Sequence, residues 1–418
     1  MDYVIIGNSA AAVGAIEAIR KVDRKNPIYL VSDEPYPAYS RPLISYYLSG
    51  KVTDSKMLYR PKDFYRENKI GAILGRKAIA VDASKRDVVL EDKKRISFDR
   101  LLIATGGTPF IPPIKGLEGE GVHTFTKWDD AKRDAKVVRR AEHVVVIGGG
   151  LIGLKAAEGF IDLGIKVTIV ELAERILSTI LDEKGSKIFT DHLKELGAEI
   201  VTENTVTEIV RKDSVLQGVK LKDRREIPAD MVIVAIGVVP NTEVVKGTDI
   251  EVKRGIVVDQ TMQTTVDGIY AAGDVVETYD VLLKTRKPAP IWPNAYEQGQ
   301  IAGYNMAGQK RTYPGSFGMN SLEVCGLPTI TVGMFDPKGD KYHSITKSNL
   351  KEKIYKKIVL DDDHVVGGIF VGEIDRAGII TGLIKDRINV KTFRQYLLSD
   401  DFGYAMFPEK VRKERLLK

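Results

Sequence analysis

The pattern Gly148-x-Gly150-x-x-Gly153, followed after a second apolar run by Glu171, carries the clearest chemistry in the chain. The first glycine permits a tight turn, the second lets backbone amides approach a pyrophosphate, and the third lets the following helix pack closely on the preceding strand. The amino terminus of that helix adds partial positive charge for the phosphates. An acid about twenty residues on accepts hydrogen bonds from both adenosine ribose hydroxyls and repels a 2′-phosphate. Gly148, Gly150, Leu151, Ile152 and Glu171 therefore read as an NAD site, with Arg175 leaving some tolerance for NADPH.

A weaker copy of the same grammar opens the chain. It runs Gly7-Asn8-Ser9-Ala10-Ala11-Ala12, with serine and alanine where the second and third glycines are expected, and its second β run ends at Asp33. Small residues still allow a phosphate to come close, so Gly7, Ser9, Ala10 and Ala11 form a second dinucleotide candidate, with Asp33 on the adenosine ribose. Ser32 or Glu34 takes that place if the register slips by one. The segment YAAGD adds Gly273 and Asp274, an acid at a strand end suited to accept a hydrogen bond from the ribityl chain of a flavin.

These groups need two βαβ units, Tyr3 to Asp33 and Val144 to Glu171, in which parallel strands are joined by a covering helix. In the second unit Ile152, Ala156, Phe160 and Leu163 fall on one helical side. Between the copies ISFDRLLIATGG reads as a strand entering a glycine turn at Ala104, Thr105 and Gly106, and ADMVIVAIGVVPN repeats this at Gly237. A helix is expected from Pro293 to Asn305. From about Tyr313 the texture changes to short β runs (TITVG, YKKIVL, HVVGGIFVG), one helix (AGIITGLIKDRI) and a basic tail. The expected fold class is α/β, with two doubly wound three-layer dinucleotide-binding domains and a C-terminal α+β interface domain.

Composition removes several alternatives. With 43% hydrophobic and 29% charged residues, and no apolar run of the ~18 residues a membrane helix needs, the chain reads as a soluble protein with no membrane span. Its first residues, MDYVIIG, enter a strand directly, so a cytoplasmic location is expected. The single cysteine, Cys325, forms neither an internal disulfide nor a dithiol relay. His123, His143, His192, His343 and His364 lack ligand-like spacing, so no metal site is expected. A net charge of +6 is too small and dispersed for nucleic acid as the main partner. From Lys385 to Lys418 nine Lys/Arg stand against five Asp/Glu, which reads as a solvated helical tail or a docking surface for an acidic carrier or subunit.

With GNSAAA, PAYSRPLISYYLSGK, LLIATGG, VVVIGGGLIG, AIGVVPN, IYAAGD and the β-rich end in this order, the chain resembles the FAD/NAD-dependent pyridine nucleotide-disulfide oxidoreductase family. The likeness is to its cysteine-free branch, with rubredoxin and ferredoxin reductases and the amino-terminal region of the nitrite reductase large subunit. The resemblance implies FAD on 1–115 and 240–312, NAD(H) on 116–239 and an interface domain over 313–418. It adds Arg41, Pro42 and Glu297 to the FAD set, with the Arg41 guanidinium near the pyrophosphate and the Pro293 helix directed at the flavin ring, beside Trp292 and Tyr296.

Three departures from the family pattern shape the expected chemistry. Tyr39 to Ser49 holds no cysteine where the disulfide-reducing, oxidase and peroxidase branches carry one or two, so electrons leave the flavin directly. Relatives place a lysine where Tyr46 stands and a glutamate where Lys155 stands; either the positive charge has moved to Lys155, near flavin N5, or Lys155 simply pairs with Glu158 on its own helix. The aromatic gate of disulfide reductases is Leu151 here. The implied activity is hydride transfer between NAD(H) and FAD, with single-electron exchange to a rubredoxin, ferredoxin or iron–sulfur partner. The alternatives are an NAD-handling subunit of a larger dehydrogenase and an H2O2-forming NADH oxidase; homo-oligomerisation is left open.

Overall fold

The computed structural model describes residues 1–416, so the last two positions of the basic stretch Lys385–Lys418 lie outside the described residues. Contacts divide the chain into two compact units: residues 1–110, 126–134 and 237–317, and residues 111–125, 135–236 and 318–418.

The first unit is built on a five-stranded parallel sheet, ordered Ile269–Ala271, Arg100–Ile103, Tyr3–Ile6, Ile28–Ser32, Ile70–Leu74. Its central strands read YVII, IYLVS and RLLI and are almost wholly buried, as a parallel sheet covered on both faces requires. The helix Ala10–Val22 follows the first strand and buries its small residues Ala10, Ala11, Ala12 and Ala15. A fifteen-residue helix, Trp292–Met306, crosses it. The crossing brings backbone against backbone: a methyl built on Gly299 would stand 2.0 Å from the Ala11 carbonyl oxygen, on Gly303 2.4 Å from that of Ala15, and on Gly14 2.3 Å from that of Tyr296. Only glycine fits at these three points.

The second unit repeats the plan. Its parallel sheet runs Glu199–Val201, Lys166–Val170, His143–Ile147, Met231–Val234, Val122–Thr124. The helix Leu151–Ile161 buries Ala156 and Phe160 as its periodicity predicts. Leu163 departs from the expectation, because the helix ends at Ile161 and Leu163 lies in the following turn, 39% exposed.

The same unit holds an antiparallel sheet ordered Met319–Val324, Leu327–Gly333, His364–Val371, Ile354–Asp361, Tyr342–Asn349, followed by the helix Ala377–Lys385. A buried polar knot ties this sheet to the parallel one's helices. Asp182 caps the helix Glu183–Glu195 by accepting from the Gly185 amide at 3.0 Å, and accepts from the Tyr355 hydroxyl at 2.7 Å and the Lys357 ammonium at 3.0 Å. His192 Nε2 meets the Cys325 carbonyl oxygen at 2.9 Å.

Replacing Gly299 with alanine should lower stability by at least about 3 kcal/mol, the upper range for overpacking a tight core. Gly378→Ala is the control, since a methyl there meets nothing within 4 Å and alanine favours a helix. Thermal unfolding of both variants checks this; equal melting temperatures would show that the crossing tolerates a side chain.

Candidate functional site

Both parallel sheets end in the same device. Gly7 and Gly148 hold φ of +110° and +111°, and a methyl on either would collide with the carbonyl oxygen of the adjacent strand's end, 2.0 Å from Ala104 and 2.4 Å from Ala235. The chain therefore turns sharply beneath the helices Ala10–Val22 and Leu151–Ile161, whose amino caps are Ser9 and Gly150. Gly150 faces open space, with nothing within 4 Å of a built methyl, whereas Gly153 has the Gly148 oxygen 1.9 Å away. Ala12, its counterpart in the first copy, is fully buried.

In the second unit the strand Lys166–Val170 delivers Glu171 to this turn. Its carboxylate accepts from the Gly149 amide at 2.5 Å and from the Ala173 amide at 2.8 Å, which fixes both oxygens beside the glycine loop. Leu151 and Ile152 start the helix. Lys155 is held by Glu158, a buried acid one helical turn on, and donates to the Glu323 carbonyl oxygen at 2.9 Å. Glu158 also accepts from the Cys325 amide at 2.9 Å. Gly237, φ +118°, lies where the chain passes back to the first unit, in a turn open to a built methyl.

In the first unit the two acids after the strand are held differently. The strand ends at Ser32; Asp33 is exposed and accepts from the Lys127 ammonium at 2.7 Å, while Glu34 is buried and accepts from the Tyr39 hydroxyl at 2.6 Å and from Arg41. Desolvation alone would raise the Asp33 carboxyl, but the bond and charge of Lys127 hold it below its ordinary value. Arg41 also donates to the Thr126 carbonyl oxygen at 3.0 Å and stacks 5.2 Å from the Tyr39 ring centre, with Pro42 next in the same short turn. Thr105 donates to the Asn241 carbonyl oxygen at 2.7 Å, and Gly106, φ +68°, faces open space. Glu297 stands half-buried on the crossing helix.

Gly273 and Asp274 follow the strand Ile269–Ala271, and the Gly273 amide donates to the buried Gln298 Oε1 at 2.9 Å. The Asp274 carboxylate makes no hydrogen bond or ion pair among the described residues. Desolvation pushes its carboxyl up to about 6, against the charge of Arg41. Ser45 Oγ and Asn294 Nδ2 are buried and also without partners. Unanswered polar groups at a glycine turn, Asp274, and in the first turn of a helix, Asn294, fit a large polar cofactor such as FAD. Sequence reasoning missed Ser45, Asn294 and Gln298, whose types are ordinary and whose burial follows from tertiary packing.

Two glycine turns of this kind, each on its own parallel sheet, define a two-dinucleotide fold. The chain belongs to the pyridine nucleotide-disulphide oxidoreductase family, which matches residues 1–299, and residues 319–388 match the rubredoxin NAD+ reductase C-terminal domain. It is thus an NAD(H)-dependent flavoprotein oxidoreductase that uses FAD. It is 32% identical over 391 residues to the nitrite reductase [NAD(P)H] of Bacillus subtilis (strain 168), covering 93% of this chain and 48% of that one. It is 31% identical over 404 residues to the NADH-dependent phenylglyoxylate dehydrogenase subunit epsilon of Aromatoleum evansii, covering 95% and 94%. The chain therefore spans about half of the first relative and nearly all of the second. The covalent putidaredoxin reductase–putidaredoxin complex matches with a TM-score of 0.85 at 25% identity over 95% of this chain and 98% of that one. Among the described residues no helix is long and apolar enough to cross a membrane, and no three metal-ligating side chains gather.

Asp274 supplies a pH test. Its folded pKa, about 6, lies above the ordinary 3.8, so the stability tied to its proton is fully present below about pH 4 and lost as pH rises through 6. In flavin-free protein Asp274→Asn should therefore gain stability over wild type between pH 5 and 7.5, by up to about 3 kcal/mol. A pH-independent difference in denaturation midpoints would contradict this.

Proposed function

We propose that the chain oxidises NADH through FAD and passes electrons singly to a protein carrier of the rubredoxin, ferredoxin or iron–sulfur type. The observation that carries this reading is a pair of dinucleotide clefts without a thiol: the flavin-side segment 39–49 holds Tyr39, Arg41 and Pro42 in place of cysteine, and Cys325 sits in the turn between two strands of the antiparallel sheet. The likeness to the putidaredoxin reductase complex and the rubredoxin-reductase C-terminal domain supports a protein acceptor.

In this reading residues 1–115 and 240–312 hold FAD, 116–239 hold NAD(H), and 313–418 form the interface domain. Gly7, Ser9, Ala10 and Ala11 present the loop and helix amides to the FAD pyrophosphate. Asp33 takes the adenosine ribose, since Glu34 is already committed to Tyr39 and Arg41. Arg41, anchored by Glu34, offers its remaining face to phosphate, Pro42 shapes the turn, and Ala104, Thr105 and Gly106 line the strand end. Gly273 and Asp274 receive the ribityl chain, and Glu297 stands on the helix nearest the ring. Gly148, Gly150, Leu151, Ile152 and Gly237 line the NAD cleft, where Glu171 accepts both ribose hydroxyls. FAD supplies the step from two-electron to one-electron chemistry, and the chain's residues bind, orient and exclude water.

Lys155 enters as a cation tied to Glu158. Lys155→Met should make the flavin potential more negative and slow flavin reduction by NADH if the flavin feels this charge. A purely structural tie would alter stability and leave both unchanged, as anaerobic stopped-flow and redox titration would show.

A second reading, a resident subunit of a larger dehydrogenase, is favoured by the near full-length match to a dehydrogenase subunit. Against it, most of the tail aromatics fold inward: Phe393, Phe402 and Phe407 stack and are buried, while Tyr396 and Tyr404 are exposed. The reading also places the chain in the cytoplasm.

The deciding experiment is anaerobic. NADH should bleach the flavin, and an oxidised rubredoxin or ferredoxin should restore its absorbance at least about tenfold faster than a disulfide does, since no thiol stands ready to relay the electrons. Faster reoxidation by disulfide, or turnover with oxygen alone that yields water, would sink the proposal; any oxygen turnover is expected to yield H2O2.

A further inference from the structure

Asn294 is the second residue after Trp292 in the crossing helix, and its Nδ2 is buried with no partner. Residues i and i+4 share a helix face. Gln298, one turn on, faces the Gly273 turn, where its Oε1 accepts the Gly273 amide at 2.9 Å and its Nε2 lies 3.4 Å from the Tyr313 hydroxyl. Ala295 also borders that turn, 3.6 Å from a methyl built on Gly273. The face that carries Asn294 therefore looks toward Gly273 and Asp274.

Leaving a buried amide donor unanswered costs a fold stability, and a desolvated carboxylate costs more. Asn294 and Asp274 do not satisfy each other, although a carboxylate is the strongest acceptor an amide meets. An unpaired donor and an unpaired acceptor on two elements held together by Gln298 call for a third molecule that offers an acceptor to one and a donor to the other.

We propose that the Asn294 side-chain amide donates a hydrogen bond to an acceptor of the flavin ring and so stabilises the negative charge the ring gains on reduction. Gln298 is the positioning residue that fixes the helix at the Gly273 turn. The inference rests on the placement of FAD in the first unit and extends it to a residue that sets the potential.

The test uses the FAD-loaded enzyme and two variants. Asn294→Ala removes the donor. Asn294→Asp keeps the shape, replaces the donor with an acceptor, and puts an acid in the first helical turn, where it favours folding. Sulfite, which adds reversibly to oxidised flavin and leaves negative charge on the ring, should bind at least about tenfold more weakly to Asn294→Ala, and more weakly still to Asn294→Asp, as the loss of a donor to developing charge requires. The midpoint potential should fall in step, a tenfold change in a two-electron couple being about 30 mV. FAD-loaded variants with wild-type sulfite affinity and potential would overturn the proposal. Gly7→Val tests the placement separately: full FAD retention by that variant would remove FAD from this cleft and the proposal with it.

Discussion

Close approach of backbone to backbone, at points where no side chain fits, is the constraint on which the first unit's site depends. Gly14, Gly299 and Gly303 let the helices Ala10–Val22 and Trp292–Met306 meet with no layer of side chains between them. A helix pair that close transmits position with little slack, because side-chain packing of ordinary depth would hold the axes further apart. The amino terminus of one helix follows the Gly7 turn and the first turn of the other carries Asn294, so the crossing fixes these two ends at once. Gln298, adjacent to Gly299 in the crossing helix, adds the strand-end turn at Gly273 to the same rigid assembly.

Polar bonding completes what the glycines begin. Around Arg41 the carboxylate of Glu34, the Thr126 carbonyl and the Tyr39 ring leave little rotational freedom, and Tyr39 in turn accepts from the Trp128 amide at 3.0 Å. Residues 126–134 are tied to the first unit by these bonds and by Lys127 to Asp33. In the second unit Asp182 does comparable work for the antiparallel sheet. A buried carboxylate with an amide, a hydroxyl and an ammonium as donors has its lone pairs answered, which is the condition under which burying charge is tolerable.

The glycine turns were legible in the sequence because their chemistry is local: spacing, an apolar strand before, a helix after and an acid beyond. The different holding of Asp33 and Glu34 was not, since it turns on which carboxylate Tyr39 and Arg41 claim, and that follows from the path of the loop over residues 33–41. In the C-terminal sheet the apolar strands Leu327–Gly333, Ile354–Asp361 and His364–Val371 announce themselves. The two edge strands, MNSLEV and YHSITKSN, do not, because an edge exposed to water needs no apolar alternation. Leu163 misled for a different reason: the apolar periodicity runs past Ile161, where the helix ends ahead of the turn at Gly164, φ +75°.

Asn294 and Ser45 mark the limit of reading from sequence. An asparagine in the first turn of a helix is common and usually solvated, and its meaning here comes from burial without a partner, which only tertiary packing creates. Asp274 gains its raised pKa in the same way, from what surrounds it rather than from what precedes it. Buried polar groups that cost a fold stability are those a bound molecule offsets by answering them, so the unsatisfied atoms are the ones the proposed placement of the cofactor uses. Preorganised donors also cost nothing to reorient when charge develops beside them, so an amide fixed by its helix is well suited to setting a potential in the proposed placement.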